Sequence, residues 1–332
     1  MLVASCSPTV ATMSTPSDAT DAMTSSLTDA GPTFDALTSD QACAAQALAH
    51  CTQLMTCSMP DLVRHFGDLV TCETRVALAC TDGQAAPDTA STPELALACA
   101  AAITTSTCAD FLSNTPPAAC TPPPGSLNGT CAFGAQCTTS FCGVGAEALC
   151  GTCQSPPTVG ESCIGIGCGD TLVCVGNATA AVCKQPGGLN ANCNGTQPCD
   201  NGFTCVGQNG NGKCLAQIAA LGGQCDPSHR QRASCNTDDG LTCNTQSAKC
   251  VAQPLVAAGM PCGLINNVET GCLAGASCKI PTNQTKGTCI APAADGAACD
   301  DTNFPRCFEP ARCIPTGAGT AGTCQLPGSK SC

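Results

Sequence analysis

The stretch CNGTQPCDNGFTCVGQNGNGKC, residues 193–214, carries cysteines at Cys193, Cys199, Cys205 and Cys214, and the chain on both sides repeats that arrangement. The other regular copies are Cys163, Cys168, Cys174, Cys183; Cys225, Cys235, Cys243, Cys250; Cys262, Cys272, Cys278, Cys289; and Cys299, Cys307, Cys313, Cys324. Successive first cysteines stand 30, 32, 37 and 37 residues apart, and a degenerate leading copy at Cys131, Cys137, Cys142 and Cys150, with Cys153 added, begins 32 residues earlier. A period of this size marks a repeat architecture, here six four-cysteine units over 131–332. Asn201, Gly202, Phe203, Thr204 lead into Cys205, and Asp239, Gly240, Leu241, Thr242 into Cys243, so a turn feeds a short strand. Polar, Gly-rich residues such as Asn209 to Gly212 then suit a hairpin before the fourth cysteine. Pro156, Pro186, Pro254, Pro292 and Pro327, soon after the last cysteine of most units, read as joints between beads.

Composition explains why the fold needs cross-links. The 332 residues include 35 cysteines, no Trp or Tyr, and eight Phe. Such a chain buries too little apolar area to offset the entropy of ordering it. A disulfide closing about 15 residues contributes roughly 3 kcal/mol. Disulfides at this density persist only in an oxidising compartment, which implies an extracytoplasmic protein. Four cysteines allow three pairings; the expected one is first with third and second with fourth.

Ahead of the array, Cys43, Ala47, His50, Cys51 and Leu54 fall on one helical face. Ser58 with Asp61 resembles a capping box, Gly67 breaks the following segment in two, and Thr92-Pro93 opens another helix. Cysteines eight residues apart on one helix, such as Cys72 and Cys80, are separated by about 12 Å of rise and so staple neighbouring helices. The fold class is therefore small disulfide-rich modules in tandem, built of short β-hairpins and loops, preceded by a small disulfide-stapled α-helical domain. The expected divisions are a helical bundle over 40–118, a Pro-rich linker over 119–130 and the modules over 131–332. Residues 7–39, rich in Ser, Thr, Ala and Asp with no basic residue, read as a disordered acidic tether.

Leu2, Val3, Ala4, Ser5 and Cys6 resemble the lipobox of bacterial lipoproteins. That resemblance implies a signal peptide over 1–6 and lipidation of Cys6, anchoring the protein to a membrane. Five residues precede Cys6, too few for a charged region and an apolar one, so a start upstream of Met1 or a truncated chain is expected. Setting Cys6 aside leaves eight cysteines from Cys43 to Cys120 and 26 from Cys131 on, both even, as complete pairing requires. The spacing of the array, with Gly160, Gly222, Gly259 and Gly296 three residues ahead of first cysteines, resembles the Dickkopf N-terminal-type cysteine-rich repeats of bacterial surface lipoproteins. The resemblance covers about residues 125–330. It implies location at the outer membrane or cell surface.

Several function classes find no support. Residues 1–130 carry 12 acidic and two basic side chains and residues 131–332 carry 12 and ten, so neither half offers a basic patch for nucleic acid. His50 and His65 read as packed or partly exposed helix residues and His229 as a solvated loop residue. No nucleophile elbow, zinc-protease helix, phosphate loop or dinucleotide fingerprint occurs, and no enzyme or cofactor is expected. Cys150 and Cys153 form the closest Cys-x-x-Cys, which reads as structural since no second such pair suggests zinc. Asp238, Asp239, Asp300 and Asp301 read as turn residues rather than metal ligands. Asn128, Asn177, Asn194 and Asn283 are sequons marking exposed loops. The expected function is a lipid-anchored structural, adhesive or binding scaffold with a protein or polysaccharide partner, its contacts on the longer gaps Asp226 to Ala233 and Gly263 to Glu269. The alternative is a thiolate metal-binding protein.

Overall fold

The structure is a computed structural model that describes residues 38–332 except 114, 115, 146, 170, 178, 209, 210, 318 and 329–331. Cys6, the lipobox-like residues 1–6 and the tether as far as residue 37 lie outside the described residues, as do Asp170, Asn209 and Gly210.

Five helices come first. α1 (Ser39–Cys57) starts at Thr38, whose hydroxyl accepts the Gln41 N–H while the Gln41 side chain accepts the Thr38 N–H. α2 (Met59–His65) is capped by Ser58, and α3 (Leu69–Ala85) by Asp68. Between them Gly67 takes φ +86°, a left-handed conformation that only glycine reaches at little cost. α4 (Pro93–Thr105) is capped by Thr92, and α5 (Cys108–Leu112) by Thr107.

The buried face of α1 is Ala42, Cys43, Ala47, Ala49 and Cys51, too small to build an aliphatic core. Disulfides take its place. Cys43–Cys80 and Cys51–Cys72 form two rungs between antiparallel α1 and α3, Cys57–Cys108 ties α1 to α5, and Cys99–Cys120 ties α4 to a short 3-10 turn. The segment 119–130 is thereby fastened at Cys120. At its other end Gly125 and Leu127 donate backbone N–H groups to Cys137 and Gln136, within the first module.

Every module repeats one plan. Its third and fourth cysteines sit opposite each other on an antiparallel pair: Cys174 with Cys183, Cys205 with Cys214, Cys243 with Cys250, Cys278 with Cys289, Cys313 with Cys324. In the first, third, fifth and sixth modules the first cysteine faces a glycine two residues ahead of the fourth: Gly151, Gly212, Gly287 and Gly322. A Cβ on Gly212 would collide with the Val206 carbonyl, so this close approach requires glycine.

That register corrects the composition of the first module. Cys142 lies opposite Cys153, not Cys150, so Cys153 occupies the fourth position. Cys150 is the supernumerary cysteine.

The proline joints are also more ordered than beads on a string would need. The segment after a fourth cysteine runs parallel to the second cysteine of the next module, with Gly187 opposite Cys199, Ile218 opposite Cys235, Val256 opposite Cys272 and Ala293 opposite Cys307. Pairing satisfies backbone groups that a free joint would leave to water. In the fifth module an extra hairpin, Pro261–Ile265 and Val268–Cys272, turns at Asn266 and Asn267, both with positive φ.

Candidate functional site

Each structural cysteine named from the repeat is bonded within its own module, first to third and second to fourth. The pairs are Cys163–Cys174 and Cys168–Cys183, Cys193–Cys205 and Cys199–Cys214, Cys225–Cys243 and Cys235–Cys250, Cys262–Cys278 and Cys272–Cys289, and Cys299–Cys313 and Cys307–Cys324. The first module follows with Cys131–Cys142 and Cys137–Cys153. Cys150 bonds Cys332. In several modules the first three sulfurs lie within 4.8 Å of one another, a spacing a metal could bridge, but each is held in a disulfide and offers no thiolate.

The array, whose prolines read as joints between beads, is closed upon the helical domain. Four successive modules present the same element inward, the turn three to five residues ahead of the third cysteine. Asn201 of the third module donates to the Leu112 carbonyl at 3.5 Å. In the fourth, the Asp238 carbonyl accepts the Ser58 hydroxyl at 2.5 Å and Gly240 abuts Pro60. In the fifth, Ala274 and Gly275 donate N–H groups to the carbonyls of Val63 and Arg64 at 3.0 and 2.8 Å. In the sixth, the Phe308 and Glu309 carbonyls accept from Arg75 at 2.7 and 2.5 Å.

Arg75 is the strongest single fastening. Its guanidinium also makes a two-pronged ion pair with Asp295 at 2.7 and 2.9 Å and lies 5.0 Å from the centre of the Phe308 ring. The first module docks further along the chain, where Gln136, fully buried, donates to the Pro87 carbonyl and Ala90 donates to the Ala135 carbonyl, both at 2.9 Å. First and sixth modules are thus neighbours on α3 and the loop after it. Arg312 reaches across to the Ala148 carbonyl at 3.2 Å, beside the Cys150–Cys332 bond.

Clefts remain between helices and array. The half-buried His50, tilted against Phe111 with ring centroids 5.1 Å apart, borders two of them, of about 610 and 420 Å³, and a third cleft of about 310 Å³ lined by helical-domain residues alone. Burial lowers the His50 pKa, so its imidazole is neutral near pH 7. The second cleft holds Asp61, His65 and Asp238. Desolvation, then the charge and hydrogen bond of Asp61, then the charge of Asp239 raise the Asp238 pKa against the opposing pull of Arg64. Arg64 pairs with Asp61 and donates to Gln253 at 3.0 Å. Asp238 was expected as a plain turn residue, and its place between two domains had no signal in the sequence. Asp300 does act as a turn residue, held low in pKa first by the Thr320 hydroxyl and then by Asn303.

The two long gaps face neighbouring modules with their backbones. The His229 carbonyl accepts the Gly207 N–H at 3.0 Å, and the Asn267 carbonyl accepts the Thr245 N–H at 2.8 Å. Among the sequons, Asn177 and Asn194 each accept from the Thr two residues on, closing exposed turns. The chain matches no protein-family model, no curated protein and no solved structure. No helix among the described residues is long and apolar enough to cross a membrane.

Proposed function

We propose that this chain is an extracytoplasmic, lipid-anchored scaffold of Dickkopf N-terminal-type repeats, holding a binding or adhesive surface for a protein or polysaccharide partner at a bacterial outer membrane or cell surface. The observation that carries the reading is the closure of the array. Six modules too small to hold themselves together by apolar burial are cross-linked internally, five of them contact one helical domain, and the array is fastened at Cys150–Cys332. Such a frame fixes its exposed turns relative to one another, which lowers the ordering cost of binding a partner at several of them at once. The extent of disulfide bonding fits an extracytoplasmic location. Lipidation of Cys6 supplies the anchor, and the tether of residues 7–39 the distance from the membrane.

The test is intact mass and free-thiol count on protein isolated from its native host. A diacyl or triacyl mass on Cys6 with no free thiol is the expected result. Abundant free thiols carrying zinc or copper would replace this reading with the thiolate metal-binding alternative.

A further inference from the structure

We infer that the cleft of about 610 Å³ between α3 and the sixth module binds a small organic monocarboxylate with an apolar body. The site is independent of the scaffold reading, since it rests on this cleft alone. Its volume lies within the range of small-molecule sites. Phe66, Val76, Ala79 and Ala311 supply apolar wall, and Arg306 and Arg312 supply charge.

Both arginines are underused. Arg306 donates from Nε to the Asp301 carbonyl at 3.3 Å and lies 5.2 Å from the centre of the Phe304 ring. Arg312 donates from Nη1 to the Ala148 carbonyl at 3.2 Å. Each keeps N–H groups to spare. Among the described residues the ion pairs within 4.0 Å are Arg64–Asp61 and Arg75–Asp295, so neither Arg306 nor Arg312 has a carboxylate. The contrast with Arg75 in the same wall is informative, because Arg75 is saturated by Asp295 and two carbonyls. In a chain of 24 acidic and 12 basic side chains, this one cleft is lined by three arginines and two acids, Asp301 and Glu309, and two of the three arginines make no ion pair.

Planar guanidinium donors match the two oxygens of a carboxylate, and the apolar wall takes up the ligand's body. Glu309 and Asp301 line the same cleft and set the upper limit on ligand charge, since a second negative group would meet them. A multiply charged phosphate or an uncharged alkyl compound lacks one half of this match.

The test is isothermal titration of the full disulfide-intact protein with octanoate, with octylamine and inorganic phosphate as comparisons. One octanoate site is expected, with neither comparison compound binding there. Arg306→Gln combined with Arg312→Gln should weaken octanoate by about tenfold or more. Ala79→Leu, which fills the wall and leaves both arginines, should weaken it to a similar extent, and serves if the double variant does not fold. Equal binding of octylamine, wild-type affinity in both variants, or no heat up to about 10 mM octanoate overturns the assignment.

Discussion

Cys150 and Cys332 lie 182 residues apart in the chain and are bonded with their Cα atoms 5.5 Å apart, whereas the other disulfides of the described residues span between 11 and 51 residues. Closing a free loop of that length would be worth about 5 kcal/mol, but the cross-links inside it already shorten the effective loop. Replacing both residues by Ser is predicted to cost about 2–3 kcal/mol in guanidinium unfolding while peptide mapping finds every other pair intact. An unchanged midpoint would mean that polar contacts alone close the array.

Arg75 and Asp295 make the second prediction. The Arg75 side chain is 12% exposed and serves one carboxylate and two carbonyls. Arg75→Ala strands all three and should destabilise the docking of the sixth module by about 2–3 kcal/mol. Arg75→Lys should restore little, because a point charge cannot reach three acceptors in a fork. Hydrogen exchange would show the loss around residues 293–313; wild-type protection there in Arg75→Ala would refute the docking role.

Where a first cysteine lies opposite it in the strand register, the glycine two residues ahead of the fourth cysteine is in close backbone contact; the second and fourth modules carry Ala181 and Ala248 there. A Cβ at Gly287 would collide with the Lys279 carbonyl, so Gly287→Val should leave Cys262, Cys272, Cys278 and Cys289 mispaired or partly reduced. Gly83, inside α3, has nothing within 4 Å of a Cβ position. Gly83→Ala should instead stabilise by about 0.5–1 kcal/mol. Thiol mapping and thermal melts distinguish the two effects.

Asp238 gives a pH dependence of defined sign. Its pKa is raised in the folded protein, so the folded state holds the proton more tightly, and this group's contribution to stability falls as pH rises above the ordinary carboxylate range. Asp226 and Asp300, held low by Ser228 and Thr320 first, act the other way at more acid pH, their contributions lost as pH falls below that range. Asp238→Asn should therefore raise the melting temperature at pH 7, with the gain shrinking toward pH 4. A variant that melts lower at pH 7 would overturn that sign.

The repeat was legible because a cross-link leaves its mark at fixed spacing, and the helices because Ser58, Gly67 and Thr92 act locally. The first module was misassigned by one cysteine. Gly151-Thr152-Cys153 repeats in Gly287-Thr288-Cys289 and Gly322-Thr323-Cys324, and that signal places Cys153 fourth. Closure on the helical domain was not legible. It depends on Arg75 meeting Asp295, while the equivalent positions in the second, third and fourth modules, four residues ahead of the first cysteine, are the exposed Val159, Leu189 and Leu221. One changed residue in a repeat carries no mark of its distant partner. The clefts follow from the closure and were hidden with it.

The bond between Cys150 and Cys332 also changes what a peptidase can do to this molecule. In a linear chain of modules, one cut releases everything beyond it. Here a cut at any peptide bond between those two residues leaves both pieces covalently joined through the remaining path. Releasing a module takes two cuts, one on each side, with the neighbouring strands still paired across both. A single cut between Cys150 and Cys332 therefore changes the molecule's appearance on a reducing gel while, apart from one added water, its unreduced mass stays the same.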